Sequence, residues 1–118
     1  DHMTISVSNF ERSLAFYERA LAPLGITTRA KFAGFAGMGK TRPQFWFAAG
    51  DVAKHKTHIA FAAQNRAEVD AFYNAAIAAG GKDNGAPGLR TMYHPTYYGA
   101  FVFDPDGYNV EAVCHAAE

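Results

Sequence analysis

Cysteine is nearly missing from this chain. Cys114 stands alone among 118 residues, so no internal disulfide can staple the fold, and a reducing, cytoplasmic setting is expected. An excess of charge of either sign is missing too. Eleven Lys and Arg balance eleven Asp and Glu, which leaves no basic field for nucleic acid or for an anionic membrane surface. No apolar run approaches the roughly 20 residues that span a bilayer, and no secretory leader is legible. A small soluble domain with neither nucleic-acid nor membrane partners is what remains. Aromatic residues, by contrast, are plentiful: ten Phe, six Tyr and one Trp. That many rings in a short chain imply a thick core, an aromatic-walled pocket, or both.

The chain is organised by a repeat. His2-Met3-Thr4-Ile5-Ser6-Val7 is followed by Ala15-Phe16-Tyr17, and His58-Ile59-Ala60-Phe61-Ala62 by Ala71-Phe72-Tyr73, at a constant offset of 56 residues. Two copies are too few for a solenoid and point to two similar modules paired about a pseudo-twofold axis. The expected organisation is a single domain over residues 1–118, with one module at 1–50 and the other at 57–118.

Both modules read alike. Alternation predicts a strand from His2 to Val7. Ser8 and Glu11 fit a capping box for a helix running to about Leu24, with Leu14, Tyr17, Leu21 and Leu24 on its apolar stripe. Strands are expected over 26–35, around Gly34 to Gly39, and over 43–47. In the second module, a strand from Thr57 precedes a capping box at Asn65 and Glu68. The helix that follows carries Val69, Phe72, Ala76 and Ile77 on its stripe. A short strand is expected near Leu89 to Tyr93, then strands over 97–103 and 108–115 joined by an Asp104-Pro105-Asp106-Gly107 turn. Each half is β-α-β-β-β, and the class is α+β.

Gly34-Phe35-Ala36-Gly37-Met38-Gly39-Lys40-Thr41 matches the phosphate-binding P-loop pattern. That loop works only where a helix opens at the Lys-Thr pair. Pro43 and a strand-like run follow here, so the stretch is read as a glycine-rich hairpin.

The strand faces point to a site. His2 and His58 lie with small residues, opposite a bulky face that the module's helix must cover. In the last strand Glu111 shares a face with Asn109 and Val113, away from the apolar set Val110, Ala112 and Cys114. His2, His58 and Glu111 therefore form a candidate divalent-metal triad for Zn, Ni, Mn or Fe. Three protein ligands leave positions open for substrate, and Glu111 is also the candidate catalytic group. Trp46, Arg90, Tyr93, His94 and Tyr97 are candidates for the pocket wall. His55 and His115 are read as surface residues.

The chain resembles the vicinal oxygen chelate superfamily, which includes glyoxalase I, bleomycin-resistance proteins and extradiol dioxygenases. The resemblance is carried by Asp1-His2-Met3, the helix Phe10 to Tyr17, His58-Ile59-Ala60-Phe61, and above all the run from Tyr98 to Glu111. It implies paired βαβββ modules whose mixed sheets curl around a central cavity, and a homodimer. It also implies metal ligation by His2, His58 and Glu111 in metal-dependent members. Trp46 stands where glyoxalase I-like members carry a fourth, acidic ligand. With Trp46 counting against the glyoxalase I reaction itself, the resemblance thus implies a small metal-dependent enzyme of lyase, thiol transferase or dioxygenase type. Its substrate would be a small molecule with vicinal oxygens. The alternative is a metal-free protein that sequesters an aromatic or drug-like ligand.

Overall fold

The repeat in the sequence becomes a repeat in the backbone. The computed structural model describes all 118 residues. The first module runs β1 (Met3–Val7), α1 (Phe10–Ala20), a short 3-10 turn (Ala22–Leu24), β2 (Thr27–Phe32), β3 (Phe35–Gly39) and β4 (Phe45–Ala49). The second runs β5 (His58–Ala62), α2 (Arg66–Ala78), β6 (Lys82–Leu89), β7 (Tyr98–Phe103) and β8 (Asn109–Cys114). Each module makes its own four-stranded mixed sheet, in the orders β1-β4-β3-β2 and β5-β8-β7-β6, and the two sheets stay open. No helix is long and apolar enough to cross a membrane.

The register is the same in both copies. β1 runs parallel to β4 with Thr4 opposite Trp46, and β5 runs parallel to β8 with Ala60 opposite Glu111. Thr4 and Ala60 are related by the 56-residue offset, so Trp46 and Glu111 occupy equivalent places. Opposed residues share a sheet face. Glu111 is therefore on the face of Ala60 and His58, as the alternation required.

Each helix buries its stripe against its own sheet. Phe16, Tyr17, Leu21 and Leu24 are buried in the first module, and Val69, Phe72 and Ala76 in the second. Tyr17 meets Phe45 edge-on at 4.9 Å and Phe47 at 5.4 Å. Burying one such side chain contributes about 1.5–3 kcal/mol, against roughly 1 kcal/mol for a helix cap. The stripes, more than the caps, decide where the helices form. Ile77, expected on the stripe, is instead partly exposed at 36%.

Several boundaries differ from expectation. Asn9, not Ser8, caps α1 by accepting from the Arg12 N–H. Ser8 is instead taken up by Asp106, which accepts from both its N–H and its hydroxyl. Asn65 caps α2 as expected, but Glu68 reaches past it to the Gln64 N–H. The strand expected near 89–93 lies earlier, over Lys82–Leu89, and Arg90 to Tyr97 is a folded turn segment. The P-loop-like stretch is β3, paired antiparallel to β2 and β4, with no helix at Lys40.

Candidate metal and substrate site

Glu111 is the centre of the site in the second module. It lies mid-strand in β8 and is 1% exposed. A buried carboxylate needs partners to remain in an apolar sheet, and two side chains supply them. His58, the first residue of β5, brings Nε2 to Oε2 at 2.9 Å, and the Tyr97 hydroxyl donates to Oε1. His58 Nδ1 faces the Asn109 carbonyl at 3.1 Å, which fixes the ring's orientation. Asn109 shares Glu111's strand face, and its side-chain oxygen is buried without a hydrogen-bond partner. Gly99 makes room for the carboxylate: a Cβ there would stand 3.1 Å from Oε1 and 3.2 Å from the Tyr97 ring.

Tyr97 pays for this place in acidity. Burial, then the hydrogen bond to Glu111 and the charge of that carboxylate, hold its hydroxyl well above the ordinary tyrosine value. It is a proton donor to Glu111 throughout the physiological range.

Phe101 lies opposite Glu111 in the neighbouring strand and has two polar neighbours. His58 stacks on it at 6.1 Å, and the Arg90 guanidinium sits over it at 5.5 Å. Arg90 is held by one hydrogen bond, from Nη2 to the Ala86 carbonyl, and makes no salt bridge with a carboxylate. Gly88 leaves the slot it occupies, since a Cβ there would stand 3.0 Å from Nη1. Tyr93 meets Tyr97 edge-on at 4.9 Å, and His94 does so at 5.3 Å.

His2 lies apart from Glu111, beside the other sheet. It precedes β1, is well exposed, and pairs through Nδ1 with Asp1 at 2.7 Å. It lines a cleft of about 460 Å³ with Thr4, Phe35, Pro43 and Trp46. The indole of Trp46 lies flat across Gly37. Phe35 flanks it at 6.0 Å and stacks on Phe32 at 4.7 Å. Sequence reasoning placed His2, His58 and Glu111 at one point. One chain brings together only His58 and Glu111, and no three His, Cys, Asp or Glu side chains cluster closely enough to hold an ion.

The sequence reading missed Phe101, Phe35 and the role of His115. Phe101 was legible in principle, since it lies opposite Glu111 once the two last strands are paired. His115 was read as surface. It is exposed, yet its Nδ1 lies 2.5 Å from His94 Nε2.

A comparison with known families places this geometry. The sequence model of the glyoxalase/bleomycin resistance protein/dioxygenase superfamily matches residues 1–112. The chain belongs to this superfamily. Among its relatives, the metallothiol transferase FosB of Shouchella clausii is 29% identical, over 94% of this chain and 76% of that protein. A glyoxalase/bleomycin resistance protein from Albidiferax ferrireducens is similar in structure, with a TM-score of 0.84 and 29% identity over 98% of both chains. The fosfomycin resistance protein FosX of Listeria monocytogenes shares the fold, with a TM-score of 0.75 and 18% identity over 98% of this chain and 92% of that one.

Proposed function

We propose that this chain is a metal-dependent enzyme of the thiol-transferring type, acting on a small substrate with vicinal oxygens. The observation that carries this reading is Glu111, a fully buried carboxylate met by a histidine nitrogen at 2.9 Å and by a tyrosine hydroxyl. The donor types suit a borderline divalent ion such as Zn, Ni, Mn or Fe. The unpartnered oxygen of Asn109 beside them fits a polar guest. The likeness to a metallothiol transferase supports the same reaction class.

One chain offers two of the three donors, so the reading includes a homodimer. His2 of one copy would face His58 and Glu111 of the other, giving two equivalent sites across an isologous interface. The ion, when bound, would polarise the substrate oxygens and stabilise the anion that forms on thiol attack. Tyr97 would hold Glu111 in place, and Arg90, free of carboxylate partners, would receive an anionic group of the substrate. Trp46, with Phe35, would wall the far side.

The test is metal content in protein prepared without chelator or affinity tag. The expected result is close to one divalent ion per chain, lost in His58→Ala and in Glu111→Ala. Wild-type protein that binds no divalent ion at micromolar concentrations overturns it. That result would favour the second reading, a metal-free binder, for which the Phe32, Phe35 and Trp46 strip is the supporting observation.

A further inference from the structure

Two histidines outside the metal triad face each other beside the site. His94 lies in the turn segment between β6 and β7, and His115 directly follows β8, the strand of Glu111. Their rings meet edge to edge, with centroids 4.7 Å apart, planes 27° apart, and His94 Nε2 2.5 Å from His115 Nδ1. Tyr97 stands edge-on to both rings at 5.3 Å.

The neighbours decide which nitrogen carries the proton. The Thr96 N–H donates to His94 Nδ1 at 3.2 Å, so that nitrogen is an acceptor. The Thr96 hydroxyl spends its own proton on the His115 carbonyl at 2.7 Å. Neutral His94 therefore carries its proton on Nε2 and donates it to His115 Nδ1. Three contacts then bind one short segment to the end of β8: the imidazole pair, the Thr96 hydroxyl bond, and the Tyr97 bond to Glu111. The segment is also closed on itself, through the Arg90 N–H to Tyr97 carbonyl bond at 2.7 Å and the Tyr97 N–H to His94 carbonyl bond at 3.1 Å.

We propose that His94 and His115 form a hydrogen-bonded clamp that holds the Tyr97 hydroxyl on Glu111. Both are positioning residues, and neither touches the carboxylate. The clamp matters for chemistry only if Glu111 is the site carboxylate, as read above, but it is measurable without metal or substrate. A turn whose residues are at most half-buried has little core to hold it. Without the clamp, Tyr97 is free to leave the carboxylate for water.

The experiment follows the Tyr97 hydroxyl proton by NMR at neutral pH, assigned with Tyr97→Phe. In wild-type protein a hydroxyl held on Glu111 gives a resolved, slowly exchanging signal. In His94→Ala and in His115→Ala that signal is lost to exchange with water. His115→Asn, whose side-chain oxygen replaces Nδ1 as acceptor, keeps the wild-type behaviour. Circular dichroism checks that each variant folds, and the exposed position of His115 favours that. If the signal is missing from wild-type protein, if it persists in both alanine variants, or if His115→Asn loses it as His115→Ala does, the clamp is overturned. A metal-free wild-type protein with an intact clamp response would count against the metal reading alone.

Discussion

Two buried carboxylates in this protein are each met by a tyrosine hydroxyl, and their surroundings give them different work. Glu111 is buried mid-strand, with the half-exposed His58 and the Tyr97 hydroxyl against it. Asp104 is tied into the turn after β7: the Tyr17 hydroxyl donates to Oδ2 at 2.5 Å, and the Asp106 and Tyr108 N–H groups donate to Oδ1 at 2.9 Å each. Burial raises the Asp104 carboxyl above its usual value, although those three donors oppose it. Burial first, then Asp104, pushes Tyr17 well above the ordinary tyrosine value. A tyrosine raised in the native state keeps a proton that the unfolded chain gives up near pH 10. The native state then binds more protons, and stability falls as pH rises past about 10. Tyr17→Phe removes that dependence for one group. It is expected to cost about 1–2 kcal/mol at pH 7 and to lose stability less steeply between pH 10 and 11. Urea unfolding at pH 7, 10 and 11 checks the two effects.

Among the elements, β3 shows how a glycine sets a functional surface. A Cβ at Gly37 would stand 2.6 Å from the Trp46 indole and 2.7 Å from Pro43. The bare backbone lets the indole lie flat and present its outer face to the cleft. Gly37→Ala is expected to cost about 1–3 kcal/mol through overpacking and to tilt the indole into solvent. Trp46 is the only tryptophan, so a red shift in protein fluorescence reports the tilt directly. An unshifted spectrum would show that the strand absorbs the methyl group elsewhere. The elements also show what the sequence could reveal. Strands with clean alternation, such as β1 and β5, were legible because one face must meet a helix. β6 was not, because Lys82–Leu89 contains Pro87, Gly85 and Gly88. It is an edge strand defined by its pairing with β7, through two register shifts. Ser8 misled as a cap because its partner, Asp106, lies 98 residues away. His58 and Glu111 were legible from strand faces. The His94–His115 pair was not, since nothing local brings a turn segment back to the end of the last strand.

At the scale of the molecule, the second module's turn is built into the first. Asp106 receives Ser8 and Arg12, Tyr17 reaches Asp104, and the Tyr108 hydroxyl donates to the Ser6 carbonyl at 2.7 Å. α1 packs on α2, so the modules join through their helices and turns while the lean sheet faces stay bare. The proposal that two copies share each site makes a sharp prediction. His2→Ala and Glu111→Ala chains should each lack metal alone. Co-expressed and isolated as the mixed dimer, they should recover about one ion per two chains, because one of the two sites then has all three ligands intact. Metal analysis of the doubly tagged, tag-cleaved mixed dimer measures this, and no recovery would mean that each site is built within one chain. The matched register of the two sheets also separates two kinds of change. Trp46 and Glu111 occupy the same station, one a flat wall and the other a buried acid. They stand on different sheets with no strand in common. Substitution at residue 46 can therefore reshape one face while the backbone frame around the acid stays as it is.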